Sequence, residues 1–191
     1  MLILKDMISH GNVRACYFHP TNNRLCVKVA LKKSDEKLLK KDLTNNALFR
    51  KTIGAYVPRY HKLIKTSKGL GLLTDLIYDG NNRLSRRLGD FFLEKKPIPQ
   101  GIKKQFDDFF GRLLKYNLWF YDFNDTNFVI RIHGSRAQLF FVDTKSLNRN
   151  NSWSTFKLEY FIPWLARRRM LRRIQRFYTV HGYKIPTQLK K

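Results

Sequence analysis

The sequence predicts an α+β fold, with a small antiparallel sheet in the first part of the chain and a mostly helical second part. Apolar residues alternate with polar ones across Met7 to Leu31 and return in two strand-like runs between Val57 and Tyr78, the two-residue period of half-buried strands. Between and after these runs the period changes to that of an amphipathic helix, most clearly after Gly101. The 191 residues are 43% hydrophobic and 14% aromatic, enough to bury a real core as one compact domain or as two small lobes around a cleft. No run of 18 apolar residues exists, so no membrane-spanning helix is expected, and the apolar run in MLILKDMISHG is too short for a signal peptide. Internal repeats and low-complexity linkers are absent.

Met7 to Leu31 reads as strand, turn, strand, strand. Gly11 falls at a turn, Ala15 to Phe18 form a strand, HPTNN turns the chain, and RLCVKVAL forms the next strand. Leu25, Val27, Val29 and Leu31 share one face of it, which leaves Lys28 on the other with Cys26 and Ala30. A lysine among small apolar neighbours suits a cleft wall where an ammonium meets phosphate oxygens; an exposed edge strand is the alternative. Cys16 and Cys26 lack metal-type spacing. They are expected as small apolar side chains in neighbouring strands, with a disulfide as the lesser option.

From Ser34, SDEKLLKKDLTNNALFRK is a helix pattern. Ser34 is its expected cap, Glu36 lies in the first turn, and Leu38, Leu39, Leu43 and Leu48 make an irregular apolar stripe. VPRYHKLIKT is a strand, Ser67 to Gly71 a turn, and the apolar run to Tyr78 another strand. Leu84, Leu88, Phe91 and Phe92 follow at helical spacing until Pro97 and Pro99 break the helix. Phe106, Phe109, Phe110, Leu113 and Leu114 then mark one side of a strongly amphipathic helix.

That helix runs into YDFNDTNFVI and, shortly after, LFFVDT. Asp122 and Asn127 lie five apart on a polar loop before an apolar strand, and Asp143 closes the next one, so three oxygen-bearing side chains come together. An Asn and an Asp at neighbouring strand ends suit Mg²⁺, which takes a few oxygen ligands and keeps the rest of its shell for water and phosphate. Asp122 is then free to receive a proton. Taken alone, the spacing is also that of common turn formers.

The charge is lopsided: 38 Lys and Arg against 14 Asp and Glu give a formal +24. Such a surplus predicts attraction to polyanions, including nucleic acid, anionic lipid headgroups and phosphorylated sugars, and says nothing of fold. Near the C-terminus an aromatic-rich helix pattern passes after Pro163 into a very basic one. Arg167, Arg168, Arg169, Arg172, Arg173 and Arg176 are interleaved with Leu171, Ile174 and Phe177, which share a face. A basic amphipathic helix lies on an anionic membrane surface or grips nucleic acid; equally, a packed terminal helix turns its arginines to water. No helix-turn-helix, RNP or zinc motif is present, so the charge alone suggests nucleic acid.

The order of these features resembles protein-kinase-like phosphotransferases: D-x-x-x-x-N followed by apolar-apolar-Asp, behind a Gly-containing hairpin and a V-A-I-K-like strand. The resemblance implies one kinase-like domain over residues 1–191, with an N-lobe of about 1–78 and a C-lobe of about 79–191. It implies ATP and Mg²⁺ as cofactors, Asp122 positioning the nucleophile, Asn127 and Asp143 holding metal, and Lys28 anchoring phosphate. Gly11 is the remaining glycine of the phosphate loop, Asp42 (with Glu36 second) is the helix acid that pairs with Lys28, and backbone groups around Asp75 to Ile77 bond the adenine edge. More closely, RACYFHP, CVKVA, VPRYHKLIKT and GLLTDLIYDG are similar to the YrbL family, the bacterial PhoP regulatory network proteins, over roughly Leu4 to Leu147.

The kinase H-R-D is here Phe120-Tyr121-Asp122, Asn124 stands two beyond the Asp, and Thr144 and Lys145 follow Asp143 in place of Phe-Gly. With no A-P-E-like segment, a small-molecule, sugar or lipid-linked acceptor fits better than a protein. Two function classes follow. One is a cytoplasmic ATP-dependent phosphotransferase, held by its arginines at an anionic lipid, a lipopolysaccharide precursor or another polyanion on the inner face of the membrane. The other is a non-catalytic regulatory pseudokinase that binds a partner or polyanion through its basic surface.

Overall fold

The computed structural model describes residues 1–120, 122–149 and 163–189. Strands β1 (Met7–His10), β2 (Arg14–Phe18) and β3 (Leu25–Ala30) come first, then helix α1 (Glu36–Ile53), then β4 (Tyr60–Thr66) and β5 (Gly69–Asp75). They form an antiparallel sheet of order β1-β2-β3-β5-β4. Val27 and Val29 on one face pack with Leu4 and Leu73. The N-terminal segment is tied there by hydrogen bonds from the Leu2 N–H to the Lys65 carbonyl (3.1 Å) and from the Leu4 N–H to Ser67 Oγ (3.1 Å). On the other face Leu72 and Tyr60 pack against Leu39 of α1.

The irregular stripe of α1 has a simple cause. Its buried residues are Leu39, Asp42, Asn46, Phe49 and Ile53, an unbroken run of three- and four-residue steps in which two members are polar. Asn46 is satisfied by donating to the Pro58 carbonyl (2.8 Å) and accepting from the Tyr60 N–H (3.2 Å). Ser34 does not cap this helix; it lies inside a 3-10 turn, Lys33–Asp35, and no side chain caps α1. Leu31 falls beyond the end of β3 and is exposed.

Gly71 belongs to β5 and not to the turn. A Cβ there would come within 2.6 Å of Val27 Cγ1 and 2.9 Å of Thr66 Cγ2, so the close approach of three strands requires glycine. Likewise β5 ends at Asp75, short of Tyr78: the Leu76 N–H makes one more bond in register, to the Arg24 carbonyl (2.9 Å), and the Ile77 carbonyl then accepts from the Ser85 N–H (3.0 Å).

The second half contains β6 (Arg86–Arg87), α2 (Leu88–Leu93), α3 (Ile102–Lys115), β7 (Leu118–Phe120), β8 (Phe128–His133), β9 (Arg136–Phe141), β10 (Leu147–Arg149) and α4 (Pro163–Val180). The helix expected from Leu84 starts at Leu88, since Arg86 and Arg87 pair with Ile130 and Val129 of β8. Phe106, Phe109 and Phe110 of α3 are fully buried with Phe128 and Phe141, and this core also takes Phe49 and Ile53 from the end of α1 and Tyr56 and Val57 from the turn after it. Leu171, Ile174 and Phe177 of α4 face it as expected, while Arg167, Arg168, Arg169, Arg172, Arg173 and Arg176 lie on the exposed side. The aromatic-rich segment expected before Pro163, and Tyr121, lie outside the described residues. Among the described residues no helix is long and apolar enough to cross a membrane.

Candidate functional site

A cavity of about 860 Å³ opens between the five-stranded sheet and the helical half. Lys28, Asp122, Asn127 and Asp143 line it, together with Gly11, Asp75 and Ile77. Asp42 stands behind the wall, fully buried. The arginines of α4 are not among its lining residues.

The strand register explains the grouping. Phe128 pairs with Phe141, which places Asn127 and Asp143 at adjoining ends of β8 and β9, and the Val142 N–H donates to the Asn127 carbonyl (2.9 Å). Asn127 also closes a 3-10 turn whose cap, Asn124, accepts from the Thr126 N–H (3.0 Å). Its amide nitrogen donates to the Asp122 carbonyl (3.3 Å), so both ends of the loop are tied and the amide oxygen remains an acceptor. Among the described residues, no hydrogen bond or ion pair engages the exposed Asp122 carboxylate. Asn127 and Asp143 thus both line the cavity from adjoining strand ends and carry hard oxygen donors, the donor type Mg²⁺ takes.

Lys28 is held from three sides. Its ammonium donates to Tyr60 Oη (2.5 Å) and to the Val142 carbonyl (2.7 Å), and lies 3.8 Å from Asp42 Oδ2. Asp42, the first choice for the helix acid, is therefore the carboxylate near Lys28. It has two closer partners that sequence reading passed over. Arg14 of β2 pairs with Asp42 through one arm of its guanidinium and reaches Asp143 Oδ1 (2.5 Å) with the other. Thr144, read from sequence only as a departure from Phe-Gly, donates its hydroxyl to Asp42 Oδ1 (2.5 Å). Asn45 adds amide bonds to the Thr144 (2.9 Å) and Leu147 (2.8 Å) carbonyls, which fix α1 against this segment.

Burial alone would lower the Arg14 pKa, but the Asp42 and Asp143 charges outweigh it and hold the guanidinium charged. Burial, with Asp42 nearby, likewise pushes the Tyr60 phenol well up, so Tyr60 stays a neutral partner for Lys28. At the same wall, Cys16 lies diagonally across from Cys26 in the β2–β3 register. A hydrogen bond from the Cys26 thiol, then the charges of Lys28, Arg14 and Arg87, hold the Cys16 thiol below its usual range, while Cys26 is pushed up.

Around Asp75 to Ile77, the Asp75 N–H is taken by the Arg59 carbonyl (2.9 Å) and the Ile77 carbonyl by the Ser85 N–H (3.0 Å). The Asp75 carboxylate pairs with His61 (2.7 Å). The polar loop is also anchored from the far side: Asp125 meets His181 Nε2 at 2.9 Å, and that ring stacks on Phe92 with centroids 4.6 Å apart. The end of α4 thus bears directly on the loop that carries Asp122.

Two sets of relatives bear on this arrangement. The sequence model of the family described as PhoP regulatory network protein YrbL matches residues 1–181, beyond Leu147 and through the basic helix. The proteins named "Uncharacterized protein YrbL" from Escherichia coli (strain K12) and Shigella flexneri are each 29% identical to this chain over 85 residues. That stretch is 42% of this chain and 40% of either relative, so the chain spans well under half of the curated relatives it matches. Because the family match takes in nearly the whole chain, this protein belongs to the YrbL family of PhoP regulatory network proteins.

Proposed function

We propose that the chain is a two-lobed, protein-kinase-like domain, with lobes of about residues 1–78 and 79–191, that binds ATP with Mg²⁺ in the cleft and transfers a phosphoryl group to a hydroxyl. The observation that carries this reading is the convergence of Lys28, Asp122, Asn127 and Asp143 on one cavity, from three separated segments, with Asp42 behind Lys28. Lys28 meets phosphate oxygens, its ammonium fixed in direction by Tyr60 and Val142. Asp122, with its carboxylate open to solvent, orients the acceptor hydroxyl and takes its proton. Asn127 and Asp143 would hold Mg²⁺, which when bound neutralises phosphate charge. Catalysis of this type rests on positioning and charge neutralisation.

The acceptor we favour is a sugar or lipid-linked hydroxyl, such as a lipopolysaccharide precursor at the inner face of the membrane. The exposed arginines of α4 and the neighbouring exposed Trp164 support it, since together they suit an anionic interface. One observation favours a second reading, a non-catalytic regulatory pseudokinase: Asp143 is engaged by Arg14, and only Gly11 remains of a glycine-rich phosphate loop.

Thermal unfolding of wild type and Lys28→Ala, with and without MgATP at fixed salt, separates the two. At a hundredfold excess over Kd, binding adds about 2.7 kcal/mol. A Mg²⁺-dependent rise that disappears in Lys28→Ala is the expected result. An equal rise in both proteins, reproduced by inorganic polyphosphate, would refute a nucleotide site.

A further inference from the structure

Asp143 is one of the two metal ligands in the reading above, yet both its oxygens already face cations. Arg14 lies on Oδ1 at 2.5 Å, and the Lys145 ammonium is 3.6 Å from Oδ2. The Arg14 side chain is 13% exposed and its two carboxylate partners less so, which makes this a desolvated contact and not a surface ion pair. Arg14 also opens β2, directly after the Gly11–Val13 turn that borders the cavity. A guanidinium in this place does what a bound cation would do: it neutralises Asp143 and ties the sheet to the segment after β9.

A divalent ion on Asp143 would stand about 2.1 Å from a carboxylate oxygen, next to a fixed positive charge. Asp143 already faces the Arg14 and Lys145 cations, so a divalent ion added there meets two positive charges within a few ångströms, and that repulsion weakens its binding. We propose that Arg14 is a cation gate: its guanidinium competes with a divalent ion for Asp143, so the ion binds there tightly only once Arg14 has left the carboxylate. The gate rests on the reading that Asp143 and Asn127 hold the metal. Once off Asp143, the guanidinium remains beside the cavity, and nucleotide phosphate oxygens are the anions that replace the carboxylate as its partner. Metal and nucleotide then load together, because each takes one half of the Arg14–Asp143 pair.

The test is Mn²⁺ binding followed by electron paramagnetic resonance without nucleotide, so that no activity is needed. Arg14→Met alone leaves two buried carboxylates short of a cation, and it would attract Mn²⁺ by net charge even without a gate. Arg14→Met/Asp42→Asn removes one charge of each sign, preserves the local balance and protects against misfolding. We expect this double variant to bind Mn²⁺ at least tenfold more tightly than wild type, and the gain to vanish when Asp143→Asn is added. Arg14→Lys, which keeps the charge without the fork that spans both carboxylates, should fall between.

Equal affinity in the double variant and wild type, both abolished by Asp143→Asn, would overturn the gate and leave the metal site standing. Absence of Mn²⁺ binding in every protein, the double variant included, would overturn the metal site and the gate together.

Discussion

Asp42 is the residue on which the wall of the cleft depends for stability, and its replacement has a calculable effect. The carboxylate is fully buried, faces Arg14 and Lys28, and accepts from Thr144. Asp42→Asn keeps size and an acceptor for the Thr144 hydroxyl but removes the charge. Breaking a buried pair from one side costs about 3–5 kcal/mol. Arg14 keeps Asp143, so the lower end applies, about 3 kcal/mol, or a fall in Tm of roughly 6–12 °C for a chain of this length. Asp42→Ala also removes the Thr144 side-chain acceptor, leaving that hydroxyl only the Asp42 carbonyl (3.1 Å), a further loss of about 1 kcal/mol. Urea unfolding followed by far-ultraviolet circular dichroism reads both. The double variant Arg14→Met/Asp42→Asn removes the pair as a whole, and it should be more stable than the sum of its single changes by about 0.5–3 kcal/mol. A loss under about 1 kcal/mol for Asp42→Asn at unchanged m-value, or strict additivity in the double variant, would refute the buried-pair account.

Alkylation at pH 7 to 8 should modify Cys16 well before Cys26, since the thiolate is the nucleophile and only Cys16 is shifted down; peptide mapping that finds Cys26 modified first would contradict the thiol assignment. Burial, and then the Asp108 and Asp107 carboxylates that accept their protons, raise the pKa of Tyr56 and Tyr178. The folded state therefore holds these protons more tightly: their stabilisation is complete below the unfolded tyrosine value of about 10 and is lost as pH rises through the folded values. Denaturation midpoints measured from pH 8 to 11 should fall, and Tyr178→Phe should flatten the fall while costing about 1.5–3 kcal/mol near neutrality. Replacing Arg168, Arg172 and Arg176 with Glu should abolish cosedimentation with anionic vesicles while leaving the unfolding midpoint within about 1 kcal/mol, because all three are exposed; unchanged cosedimentation would remove α4 from the membrane reading.

Local periodicity revealed most of the elements, and it failed where pairing is remote. Val27 and Val29 alternate with Lys28 because one face of β3 is apolar, and the phenylalanines of α3 sit at helical spacing because all of them reach one core. The stripe of α1 was hidden because Asp42 and Asn46 occupy core positions, where only contacts with Arg14, Thr144 and Pro58 make polar residues tolerable. Leu84 looked helical from its neighbours alone; the pairing of Arg86 and Arg87 with β8, more than forty residues on, starts the helix later.

The candidate site follows the same division. Asp122, Asn127 and Asp143 were legible because they fall at fixed places relative to two apolar strands. The role of Arg14 was not: it opens the RACYFHP segment that carries the family resemblance, but its partners lie 28 and 129 residues away. Thr144 was noticed for what it replaces, and its hydrogen bond to Asp42 became visible only with α1 in place.

With a formal +24, any anion binds this protein to some degree, so the decisive measurement is one of stoichiometry and metal dependence. Isothermal titration calorimetry of ATP into wild type and Asp143→Asn, with and without Mg²⁺ at physiological salt, supplies both. The account predicts one site per chain in wild type, strengthened by Mg²⁺, with that strengthening lost in Asp143→Asn. Several weak sites per chain, indifferent to Mg²⁺ and to Asp143 and screened away as salt rises, would contradict it.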